Sequence, residues 1–139
     1  MYVNSKEDVV KTLFHLHANA IMENFNLSED KIFDADDAIK LIGVEAIFQF
    51  LFKQIKEDYD KAQKYIFDTN NVQTKDRFVL AKKKLQLHQG QILADLYWPR
   101  LMACYRVMHQ DNGVNYSFIQ EGTADARKRR AIFYKNEIE

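Results

Sequence analysis

An all-α fold follows from three observations. Apolar residues recur at three- and four-residue spacing along most of the chain. Its 139 residues include one Pro and four Gly. Hydrophobic residues make up 47% and charged residues 29%, the balance of an ordered globular protein rather than a linker. We expect a single domain over residues 1–139, a helical bundle of about four main helices with a long third helix kinked at Pro99. A chain of this length buries roughly two-thirds of its unfolded surface, enough for one core.

The first helix is predicted to start after Ser5, whose hydroxyl can accept a bond from the Asp8 backbone N–H, with Glu7 and Asp8 complementing the positive helix start. It ends near Asn26. Val10, Leu13, Phe14, His17 and Ile21 share one face, widened by Leu16 and Ala20. Leu27 to Ala35 reads as an acidic loop.

The second helix runs from Asp36, capped by Asp34 or Asp36, to about Phe67, because no Pro interrupts it and only Gly43 weakens it. Leu41, Val44, Phe48, Leu51, Phe52, Ile55, Tyr59, Ala62 and Ile66 form its apolar face, opposite Glu45, Gln49, Lys53, Lys56 and Asp60. Asp68 to Asn71 supplies turn chemistry.

The third helix is expected from near Thr74 to Gln110, about 54 Å, with a kink or break around Pro99. That is long enough to project beyond a compact core. Asp111-Asn112-Gly113 is a stop signal, and a last helix is predicted from Thr123 to near the C-terminus. The predicted common core contains Leu13, Phe14, Phe48, Leu51, Phe52, Ile55, Leu85 and Ile92.

Charge is unevenly divided. Residues 1–70 hold 8 Lys/Arg against 13 Asp/Glu, a net −5, and residues 71–139 hold 12 against 7, a net +5. A neutral total therefore hides an acidic half and a basic half, which can pair with each other, within one chain or between copies, or meet an outside partner. The longest apolar run, Ala46 to Phe52, is interrupted by Gln49 and far shorter than the roughly 20 residues that span a bilayer. Val9 to Met22 includes Lys11, His15, His17 and Asn19 and lacks a small-residue cleavage site, so it reads as an amphipathic helix and not a signal peptide. The lone Cys104 cannot form an internal disulfide, which suits a reducing, cytoplasmic setting.

Patterns that carry chemistry are few. Asp34/Asp37 and Glu57/Asp60 superficially resemble the paired carboxylates with which all-α nucleotide pyrophosphatases hold magnesium. One helix over 36–67 would set the pairs roughly 30 Å apart, too far to share an ion. No acidic residue has His three positions later, as di-iron bundles require. His88, Asp95, Met102 and His109 recur every seven residues, and His17 lies on the first helix, but two histidines fall short of a metal site even if His17 and His88 meet. Cys104 keeps helical spacing with Tyr97, Leu101 and Met108 and reads as a core residue. Gly-rich phosphate loops, nucleophile elbows and Cys-x-x-Cys pairs are absent from the sequence. No catalytic residue, cofactor or metal is implied.

Two basic clusters remain as candidate partner-binding or nucleic-acid-binding residues. Lys82, Lys83 and Lys84, with Lys75 and Arg77 upstream, belong to the third helix; Arg127, Lys128, Arg129 and Arg130 open the last, followed by Phe133 and Tyr134. Consecutive helical residues point around the axis, so neither cluster makes a single basic face. The expected function is that of a non-enzymatic accessory or regulatory protein that binds a macromolecular partner, first of all a protein, through charged helical surfaces. The alternatives are a helical subunit that grips the RNA or DNA backbone through the two clusters, self-association as a homodimer, and an enzyme whose site is assembled across helices and so leaves no motif in the sequence.

Overall fold

The computed structural model describes residues 3–32, 34–70 and 73–109. Among these the secondary structure is entirely helical: α1 (Lys6–Leu13), α2 (Ala18–Asn24), α3 (Ala35–Ile42), α4 (Val44–Asn70) and α5 (Arg77–Met108), with a 3-10 turn at Phe14–Leu16 between α1 and α2. The helix expected from Thr123 and the cluster Arg127, Lys128, Arg129 and Arg130 lie outside the described residues.

Caps explain where the helices start. Ser5 Oγ accepts from the Asp8 N–H at 3.1 Å, as its hydroxyl and position predict. Asp34 and Asp37 form a reciprocal capping box on α3, with Asp37 N–H donating to Asp34 at 3.0 Å. Asp76, not Thr74, starts α5, its carboxylate accepting from the backbone N–H groups of Phe78 and Val79.

Two expected helices are broken. The first is interrupted by the 3-10 turn, and His17 stands between it and α2 with φ −123° and ψ 18°, outside helical geometry. The second divides at Gly43, which ends α3 with φ +100°. A residue with a Cβ rarely adopts that angle, so Gly43 is a corner and not merely a weak point in one continuous helix. By contrast, α5 continues through Pro99 as an α-helix. Pro99 cannot donate to the helical ladder, but Trp98, Leu101 and Met102 beside it are fully buried, and their packing holds the turn in place.

The architecture centres on α4 and α5, which pack along each other as an antiparallel hairpin, while α1 lies across both and α2 and α3 rest mainly on α4. Val9, Val10, Leu13, Ile21, Phe48, Leu51, Ile55, Tyr59, Trp98, Leu101 and Met102 form the core. Tyr59 and Trp98 bring their rings within 5.3 Å of each other, and Phe52 meets Tyr105 edge-to-face at 5.2 Å. Closer to the tip the helices approach at Gly90. A Cβ there would lie 3.1 Å from the Ala62 carbonyl oxygen, Ile66 Cγ1 and Tyr65 Cβ. Without a side chain at Gly90, α5 comes close to the α4 backbone at Ala62 and to the Ile66 and Tyr65 side chains.

Six of the eight predicted core residues are buried or partly buried against the core. Leu85 and Ile92 are not: they are 71% and 53% exposed. The reason is the phase of α5. Gly90, Ala94, Trp98 and Leu101 turn toward α4 at three- and four-residue steps, which puts Leu85 and Ile92 on the opposite side.

Candidate functional site

The hairpin has a body, where α1 packs on α5 as well as α4, and an arm, where among the described residues the first half of α5 has only α4 beside it. The arm carries Lys82, Lys83 and Lys84. Lys82 and Lys84 are exposed, whereas Lys83, one turn before Leu87 on the α4-facing side, is half-buried. The triplet is therefore split around the helix as the geometry of consecutive residues requires. Among the described residues none of the three lysines takes an ion-pair partner, nor do Lys75 and Arg77. Ion pairs Lys6–Glu45 at 2.9 Å, Lys11–Glu7 and Lys11–Asp36 at 3.5 Å, and Lys56–Asp60 at 3.3 Å all join residues of the acidic half.

Between the arm's exposed cations runs an apolar stripe. Phe78, Leu85, Ile92 and Leu96 are 89%, 71%, 53% and 47% exposed. Successive steps of seven, seven and four residues keep them on the side of α5 turned away from α4. Sequence reasoning treated part of this stripe as core, because apolar residues at helical spacing fit either assignment. One signal could have separated the two: α5 carries a second line of small or aromatic residues, Gly90, Ala94 and Trp98, and only one line can face α4.

The other sequence candidates resolve as structural. Cys104 is fully buried, and burial pushes its thiol up to about 12, so it is un-ionised at neutral pH and packs as a small apolar side chain. Asp34 and Asp37 are engaged in the capping box. The straight helix that kept them from Glu57/Asp60 is broken at Gly43, yet among the described residues no group of three or more His, Cys, Asp or Glu is placed to hold a metal. Met102 in the seven-residue series is buried while His88 and His109 are exposed, so that series shares no environment.

His17 meets Arg100, not His88. Arg100 Nη1 donates to His17 Nε2 at 3.4 Å. A guanidinium has no acceptor, so Nε2 must be the lone-pair nitrogen of a neutral imidazole. Burial and the neighbouring Arg100 charge hold His17 below its ordinary pKa, partly opposed by Asp58. Arg100 also lies over the Tyr97 ring, 5.5 Å from its centroid. These groups line a polar cleft of about 370 Å³ between α2, α4 and α5. Neither Arg100 nor Asp58 was singled out from the sequence, because the cleft is assembled from three separate segments.

No helix among the described residues is long and apolar enough to cross a membrane. No family model matches the chain, and neither the curated proteins nor the solved structures include a match to it.

Proposed function

We propose that this is a non-enzymatic accessory or regulatory protein whose arm binds a protein partner, specifically a partner helix with an apolar face flanked by acidic residues. The carrying observation is the stripe Phe78, Leu85, Ile92 and Leu96 lying bare beside Lys82 and Lys84. At those exposures the four side chains present on the order of 450 Å² of apolar surface, a size at which a patch on a monomer commonly marks a binding site. The cations that lack carboxylate partners among the described residues select the partner's charge, by speeding encounter and disfavouring basic surfaces.

A second reading has one observation behind it: Lys75, Arg77, Lys82 and Lys84 are exposed and could neutralise RNA or DNA phosphates, with Arg127, Lys128, Arg129 and Arg130 as the further contribution expected from the sequence. The large apolar residues between the arm's cations favour the protein reading, because a phosphate backbone leaves them uncovered. A homodimer is the case in which the acidic half of a second copy supplies the partner surface. A single domain, a bundle completed by a helix from Thr123, a bend at Pro99 and a cytoplasmic setting suited to the buried Cys104 belong to the same proposal.

The test is affinity purification with nuclease, comparing the wild type with Leu85→Glu/Ile92→Glu and with Lys82→Glu/Lys84→Glu. We expect one protein partner to survive nuclease treatment and to be lost from both variants while their helical spectra remain unchanged. Binding that disappears with nuclease and falls steeply with salt would establish the nucleic-acid reading instead. A concentration-dependent mass in light scattering, abolished by Leu85→Glu/Ile92→Glu, would identify the partner as a second copy.

A further inference from the structure

The polar cleft is independent of the arm: Arg100 lies fifteen residues beyond Leu85 on α5, about 22 Å along the helix. Arg100 is half-buried, and its partners among the described residues are the Nε2 lone pair of His17 and the face of Tyr97. Neither is an anion. Removing a guanidinium from water is costly unless its N–H groups find acceptors. One of five donors is matched by His17, while the Tyr97 ring, its centroid 5.5 Å from the guanidinium carbon, adds a cation–π contact. The result is a positioned cation whose planar donor edge is complementary to a carboxylate.

Asp58 adds a second requirement. It lines the same cleft and acts electrostatically on His17, but among the described residues it takes neither a hydrogen bond nor an ion pair. A ligand bearing only negative charge would gain from Arg100 and lose at Asp58. A ligand that presents a carboxylate to Arg100 and a cation to Asp58 satisfies both. The volume of about 370 Å³ lies within the range of small-molecule sites, and Asn19 and Gln54 add polar side chains to a lining that also includes Leu16, Ala18 and Ala20.

We propose that the cleft formed by Arg100, His17, Tyr97 and Asp58 is a binding site for a small zwitterion of the α-amino-acid class, its carboxylate on the Arg100 guanidinium and its ammonium toward Asp58. His17 acts as a positioning residue, accepting from Arg100 and leaving the opposite edge of the fork for the ligand. This site requires nothing from the arm, so either proposal can fail alone.

The experiment is an NMR titration of the full chain with a panel of free L-amino acids, each compared with its carboxyl-amide and N-acetyl derivatives and with inorganic phosphate. We expect at least one free amino acid to saturate the amide shifts of residues lining the cleft. Its carboxyl-amide should bind about tenfold more weakly or worse, the scale of a lost charge-assisted bond. Phosphate should also bind more weakly than the amino acid, because of Asp58. Arg100→Gln should remove binding, and Arg100→Lys should weaken it by keeping the charge without the fork. Asp58→Asn should weaken the free amino acid and tighten its N-acetyl form, which carries only negative charge and no longer meets the Asp58 carboxylate. Because the ligand derivatives are compared on the wild-type protein, the test holds even if an Arg100 variant fails to fold. Absence of saturation by every free amino acid at tens of millimolar, amides that bind as well as acids, tighter binding of phosphate, or unchanged affinity in Arg100→Gln would each overturn the proposal.

Discussion

The two halves of α5 belong to one helix but follow different rules. From Trp98 to Cys104 the helix is enclosed by α1 and α4, and residues on several sides of its axis, including Trp98, Leu101, Met102 and Cys104, are fully buried. From Arg77 to about Leu96 only one side is covered, and large apolar residues stand on the uncovered side. Equal hydrophobicity thus has two structural fates, decided by how many neighbours the fold supplies. In the body, an apolar side chain stabilises the monomer; in the arm, it adds little to folding, and the proposed partner site rests on that difference.

Substitutions can break that contrast. The largest effect should come from the body: Trp98→Ala removes a fully buried ring that packs on Tyr59, and should cost about 3–5 kcal/mol in urea unfolding. Phe48→Ala, at another fully buried position, should fall in the same range. A cost under about 1 kcal/mol for both would mean that the body is not the principal core.

The hairpin crossing should respond less strongly. Gly90→Ala places a Cβ against a backbone oxygen and the Ile66 and Tyr65 side chains at 3.1 Å. Overpacking should outweigh the better helix propensity of Ala and destabilise by about 1–3 kcal/mol. A more stable Gly90→Ala protein would show that the arm helices separate easily. Asp34→Ala, which removes one half of the α3 capping box, should cost about 1 kcal/mol.

The smallest expected effect concerns His17. Its pKa is lowered in the folded protein from 6.5, first by burial and then by Arg100. The unfolded chain therefore binds the proton more readily, so the His17 contribution is complete above about pH 6.5 and is lost as pH falls through the folded-state value. Unfolding curves of His17→Gln should show a shallower loss of stability over that acidic window than wild type. Identical pH profiles would remove His17 from the account.

Much of the body was legible from local chemistry. Ser5 and Asp34 each have the cap geometry their side chains favour, and the α4 face from Phe48 to Ala62 follows helical spacing into the core. What was not legible depends on a choice between equally good local options. Gly43 can be a tolerated weakness or a corner, and only tertiary packing selects φ +100°. Leu85 and Ile92 match a core pattern as well as Gly90 and Ala94 do, and the close approach at Gly90 decides between them. The Arg100 cleft draws His17, Asp58 and Tyr97 from positions up to 83 residues apart, a separation no local pattern reveals.

Thiol accessibility along α5 tests the body-and-arm contrast most directly. Leu85→Cys supplies a thiol on the stripe, while the native Cys104 serves as a buried reference within the same helix. With a maleimide under native conditions at low protein concentration, the account predicts that Cys104 stays unreacted and that the introduced thiol reacts at nearly the rate of a free one. Slow labelling at position 85 in the isolated native protein would contradict it, because the stripe would then already be covered and not be open to a partner.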